Sequence, residues 1–347
     1  MRNARPVRCR SLLALGLLGA AAPQQALSHV KWFSSYDTHA HPVAWEALLG
    51  TQWLILSATA LATVFAACWI ANRTGASQVR PFAGSPTLQR PAWAYPLIFS
   101  ALAITILLCW KHEVILAPEL KCELGEISAL QFLVIAISLI PRLSVLFPFG
   151  VGLLFLSGVY EFGLFHMLDY VFVLGSAAFL WMTRAGTHPS DFQRALTILY
   201  RTTGFSLCWV GVEKVIYPHW AEEILQARPD LALGLPNDFF IQGAALFEFS
   251  LGFFFLAQLW TRACALVLTG LMIFTTSLFG FREVLGHLLL HAILLTFMIC
   301  GPARVLAHSC SGPIRPALKL ACMYAVLLAG STLIYHRLAW LLMPGEA

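Results

Sequence analysis

Ten apolar windows divide this chain, at about 49–71, 94–110, 127–140, 143–160, 168–183, 195–216, 239–259, 263–281, 284–302 and 317–336. A helix needs about 20 apolar residues to cross the hydrocarbon of a bilayer. Inside lipid the backbone must satisfy its own hydrogen bonds, which a helix does. The windows therefore predict an all-α, polytopic transmembrane bundle of about ten helices. Composition closes the soluble alternative: 59% of residues are hydrophobic and 11% charged, against about 25% charged in a soluble domain. The third and fourth windows are short and share Pro141-Arg142. They are expected to form a tight hairpin or a broken element.

The N-terminus has the pattern of a secretory signal. Arg2, Arg5, Arg8 and Arg10 precede the apolar run Ser11–Ala22, and Ala26-Leu27-Ser28 supplies small residues at −3 and −1. Residues 1–28 are expected to be removed, leaving His29 as the mature N-terminus. Those four arginines carry most of the formal charge of +5, so the mature protein is near neutral. No basic stripe remains for a nucleic acid. The nine cysteines are spread singly, without a CxxC. Most sit in apolar runs, where they pack as small hydrophobes. Cys109 and Cys122 both approach the outer face, where a disulfide between them is an open alternative.

Loop charges set the orientation. With the cleaved end outside, eleven basic residues fall at inner loops (among them Arg142, Arg184, Arg194, Arg262 and Arg315) and seven outside, as the positive-inside rule requires. Fifteen of the 17 acids sort outward, Asp191 lies inside and Glu248 lies within a helix. Nine of the 11 histidines are outside. The expected location is a bacterial inner membrane, multi-pass, with both mature termini periplasmic. Trp110, Tyr160, Tyr170, Tyr217 and Trp220 read as an outer interfacial belt. The longest outer loop, 217–238, is expected to lie in the interface.

The stretch 193–302 carries Arg194-Ala-Leu-Thr-Ile-Leu-Tyr-Arg201 with Gly204, Gly211-Val-Glu213-Lys214, Phe247-Glu248-Phe249-Ser250-Leu251-Gly252 and Thr261-Arg262. On these motifs it resembles the DoxX-like family of membrane proteins. The resemblance implies a four-helix membrane bundle and, for some relatives, quinone-coupled oxidation. It divides the mature chain into an N-terminal region 29–183 of about five helices, the DoxX-like bundle 193–302 and a C-terminal helix in 303–347.

Several residues could carry chemistry. Glu283, His287 and His291 are spaced i, i+4, i+8 among apolar residues, so they share one helix face. Two imidazoles and a carboxylate suit Zn, Cu or Fe, a hydrogen-bonded stripe locking helices, or proton handling; Arg282 beside them is a candidate cofactor contact. His29, with its free amine, and the pair His39 and His41 form a second candidate metal arm, suited to copper. Glu248 sits mid-helix, where a carboxylate is costly; Arg201 or Lys214 is its expected partner. Glu213 and Lys214 are expected at the outer end of their helix, and the three residues Glu248, Glu213 and Lys214 are the candidate catalytic set. A transition metal or a quinone is the expected cofactor class. GxSxG, Walker and Rossmann patterns are absent, so no nucleotide is expected. The leading expectation is a periplasm-facing redox or metal site, with a quinone or respiratory subunit as partner beside the lipid bilayer. A proton-coupled transporter and a non-catalytic assembly subunit are the alternatives.

Overall fold

Every one of the ten apolar windows is a helix in the computed structural model, which describes residues 41–74, 93–122, 125–184, 189–303 and 314–342. The signal segment, His29 and His39 lie outside the described residues. The helices are α1 (Trp45–Leu48), α2 (Thr51–Thr74), α3 (Ala94–Lys111), α4 (Glu126–Leu139), α5 (Phe147–Met167), α6 (Val171–Thr183), α7 (Pro189–Ile216), α8 (Pro218–Ala227), α9 (Asn237–Ala257), α10 (Thr261–Phe279), α11 (Phe281–Cys300) and α12 (Ile314–Leu342). Helices α1 and α8 are short additions; the other ten match the windows.

Seven stretches among the described residues are long and apolar enough to cross a membrane. One of them, Ser144–Thr183, runs for 40 residues, about twice a bilayer crossing at 1.5 Å per residue. It folds back on itself. Gly163, at φ 80°, interrupts α5, and a 3-10 turn at Leu168–Tyr170 leads into α6. Pro141 and Arg142 occupy the tight turn between α4 and α5, where Leu143 N donates to Ile140 O at 2.9 Å. The expected hairpin is therefore present.

Helix α7 is more polar than its neighbours, yet it is the centre of the bundle. It packs on α6, α9 and α12. Its residues 192–207 enter one hydrophobic core with α3 to α6, α10 and α11. Its residues 208–217 enter a second core with α2, α8, α9 and α12. A helix surrounded by protein can carry polar groups that lipid would not tolerate. The helices of 193–302 do not stand apart as a four-helix unit: α11 also packs on α3, and α12 packs on α2 as well as α7.

Contacts between helix ends agree with ten alternating crossings. At the end assigned outward, called the outer end, Val43 N donates to Ile216 O at 3.0 Å and His336 Nε2 meets Val43 O at 2.9 Å. At the inner end Trp260 Nε1 donates to Ala67 O at 3.1 Å and Tyr200 Oη to Gly301 O at 2.9 Å.

The aromatic belt needs correction. Tyr160 is exposed, but Tyr170, Tyr217 and Trp220 are buried. The reason is α8. It turns back over the bundle, burying Trp220, Ile224 and Leu225, and Trp220 stacks on Tyr217 at 4.4 Å. Segment 217–238 is thus part of the second core, with Glu223 on its exposed side. Cys109 and Cys122 are both free thiols.

Candidate functional site

The closest helix approach in the site lies between α7 and α9. A Cβ on Gly204 would fall 2.6 Å from Gly252 O, and one on Gly252 would fall 2.7 Å from Gly204 O. Side chains of any size would hold these backbones apart; glycine lets them touch. Two turns outward, Gly211 approaches Ala245 O in the same way, at 2.9 Å. This contact carries Lys214 to Glu248, where Nζ donates to Oε2. The pair is 16% and 21% exposed. Arg201, the other expected partner, is exposed.

Glu213 is not at the surface as its helix-end position suggests; it is 1% exposed. Successive helix residues point about 100° apart, so Glu213 faces α12 while Lys214 faces α9. Tyr335 Oη donates to Glu213 Oε2 at 2.8 Å. The ring of Tyr335 is itself buried and lies within electrostatic range of Asp169.

The stripe on α11 points into the bundle at its first two positions. Glu283 is 0% exposed. Its Oε2 lies 2.8 Å from His287 Nδ1 and accepts a hydrogen bond from Thr275 Oγ1 of α10 at 3.1 Å. Glu283 Oε1 is buried without a hydrogen-bond partner among the described residues. His291 is half-buried and Arg282 is exposed; no hydrogen bond joins His291 to the pair among the described residues. His41 rests against the Trp340 ring at 5.6 Å.

Among the described residues no three His, Cys, Asp or Glu side chains are placed to hold one ion. His287 Nδ1 is committed to Glu283.

Of these groups Glu248 and His287 line a cavity of about 40 Å³, together with Asp169, Tyr170 and Ser206 among others. A water needs roughly 10–15 Å³ of such space, so the cavity suits two or three waters and excludes a quinone ring. Asp169 and Tyr170 were missed in the sequence. Asp169, 3% exposed, sits in the 3-10 turn before α6, and Tyr170 Oη donates to Glu119 Oε1 of the α3–α4 loop. The available signal was local: Asp169 and Tyr170 lie inside the apolar window 168–183, not in a loop. Ser206 Oγ accepts from Phe172 N at 3.3 Å, joining α6 to α7 beside the cavity.

A multi-pass helical bundle that keeps carboxylates, a lysine and a histidine around an internal cavity is an integral membrane protein with a polar interior. The comparison with protein families agrees: the DoxX family model matches residues 198–281, from within α7 to the start of α11. No curated protein and no solved structure matches the chain. The matched stretch holds Glu213, Lys214 and Glu248. Asp169, Glu283, His287 and Tyr335 lie outside it.

Proposed function

We propose that this chain is a proton-handling component of the bacterial inner membrane, serving a quinone-linked redox system from the periplasmic side. The observation that carries the reading is the convergence of Asp169, the Lys214–Glu248 pair and the Glu283–His287 pair from separate helices on one cavity sized for water. Intramembrane ionisable groups in such a setting mark ion or proton paths. Lys214 Nζ donates to Glu248 Oε2 on one side of the cavity. On the other, Glu283 fixes His287 through Nδ1, and exchange with cavity water takes place at Nε2.

The redox half of the proposal rests on the DoxX resemblance. A quinone supplies two-electron chemistry with proton uptake when bound, but its ring does not fit the cavity. The quinone therefore belongs outside the cluster, and the cluster's part is the proton.

Infrared difference spectra of the purified protein, taken between about pH 5 and pH 8, the range in which histidine titrates, test the proton reading. A protonated-carboxyl band that changes with pH and is altered by Glu248→Gln and by Asp169→Asn is expected. Spectra with no such band would overturn it. Quinone extraction from active preparations tests the redox half: a quinone present supports it, and the absence of quinone, haem and metal removes it. Proton-coupled uptake by proteoliposomes would then mark the chain as a carrier.

A further inference from the structure

A second cavity, unrelated to the first, opens at the outer ends of α4 and α5. Its volume is about 930 Å³, within the range that holds sizeable ligands. The floor is apolar: Leu130 of α4 faces Leu153 and Leu156 of α5, the last two 53% and 62% exposed. The rim is charged, with Lys121 from the α3–α4 loop, Glu126 at the start of α4 and Glu161 near the end of α5. All three are exposed, and among the described residues none of them forms an ion pair.

Helix length explains the groove. The 14 residues of α4 reach about 21 Å, short of a hydrocarbon core of about 30 Å. The charged rim is therefore drawn toward the depth of the lipid headgroups, with the leucine floor below it. An occupant must be amphiphilic, with an apolar chain along the leucines and a polar head at the rim.

Charge selects the head. One lysine and two carboxylates match a zwitterion that carries a phosphate and a primary ammonium. The phosphate meets Lys121, and the ammonium donates to Glu126 and Glu161. An acidic headgroup faces two carboxylates of its own sign. An uncharged quinone leaves all three charges unused. We propose that this groove is a binding site for one phospholipid of the phosphatidylethanolamine class. The site does not depend on the proton-handling cluster.

Native mass spectrometry of the delipidated full chain tests this, with palmitoyl-oleoyl phosphatidylethanolamine, the matching phosphatidylglycerol and ubiquinone as probes. One phosphatidylethanolamine per chain is expected to survive activation that strips the other two. Glu126→Gln with Glu161→Gln should reduce its retention by about two- to thirtyfold, the value of two exposed charged contacts. Leu153→Trp with Leu156→Trp should fill the floor and lower retention of any lipid. All four positions are exposed, so unchanged melting of the variants checks the fold. Equal retention of phosphatidylglycerol or of quinone, or retention of phosphatidylethanolamine unaffected by both double variants, would overturn the assignment.

Discussion

Removing one member of the Lys214–Glu248 pair should cost more stability than removing both. Two unit charges about 4 Å apart attract by about 4 kcal/mol at an effective dielectric constant near 20. The side chains are only 16% and 21% exposed, so water screens part of this attraction and leaves most of it. Stranding one charge of a buried pair costs about 3–5 kcal/mol. The partial exposure places Glu248→Leu and Lys214→Met each near the lower end, at about 3 kcal/mol. Replacing both by well-packed neutral residues is close to neutral, so Lys214→Met with Glu248→Leu should fall within about 1 kcal/mol of the native protein. Independent effects would instead leave the double variant destabilised by about 6 kcal/mol. Reversible unfolding in mixed micelles, followed by circular dichroism, gives all four corners of the cycle. An additive double variant, or single variants each costing under about 1 kcal/mol, would refute the reasoning and leave the pair a surface contact.

Two further outcomes follow from other positions. Gly252→Ala places a methyl 2.7 Å from Gly204 O and should destabilise the protein by about 1–3 kcal/mol in the same micelle assay. Gly243→Ala, on the same helix with nothing within 4 Å of its added carbon, should be neutral or stabilising by up to about 1 kcal/mol. Burial, then the charge of Glu113, raises the pKa of the half-buried Cys122 thiol. Its thiolate is therefore scarce near neutral pH, and its alkylation rate should climb about tenfold per pH unit while it remains below that pKa. Cys109, 0% exposed, should stay unmodified in the folded protein, as mapped by peptide mass spectrometry.

The helices were legible because lipid imposes one rule on every crossing: a long apolar run with a satisfied backbone. The inward aim of Glu283 and His287 was legible too, since their spacing of four placed them on one face among apolar neighbours. Burial of Glu213 was not. Its place near the end of α7 suggests water, but its side chain turns to α12, where Tyr335 holds it. Nor could the Tyr335 partner be seen, because 122 residues separate it from Glu213. Loop counting sorted Asp169 outward by side of the membrane, but side is not exposure. A three-residue 3-10 turn holds it inside the protein.

The boundary of the family match bears on what can be carried over from DoxX proteins. Within 198–281 the cluster has Glu213, Glu248 and Lys214, two acids against one base. The rest of the chain adds Asp169 and Glu283 to the same region, with His287 as the group able to offset one of them. Asp169, Glu213, Glu248 and Glu283 are thus buried or half-buried in the same bundle as Lys214 and His287. The unmatched helices therefore do more than flank a familiar unit. They load it with acid, and the Gly204–Gly252 contact keeps its single lysine within reach of Glu248.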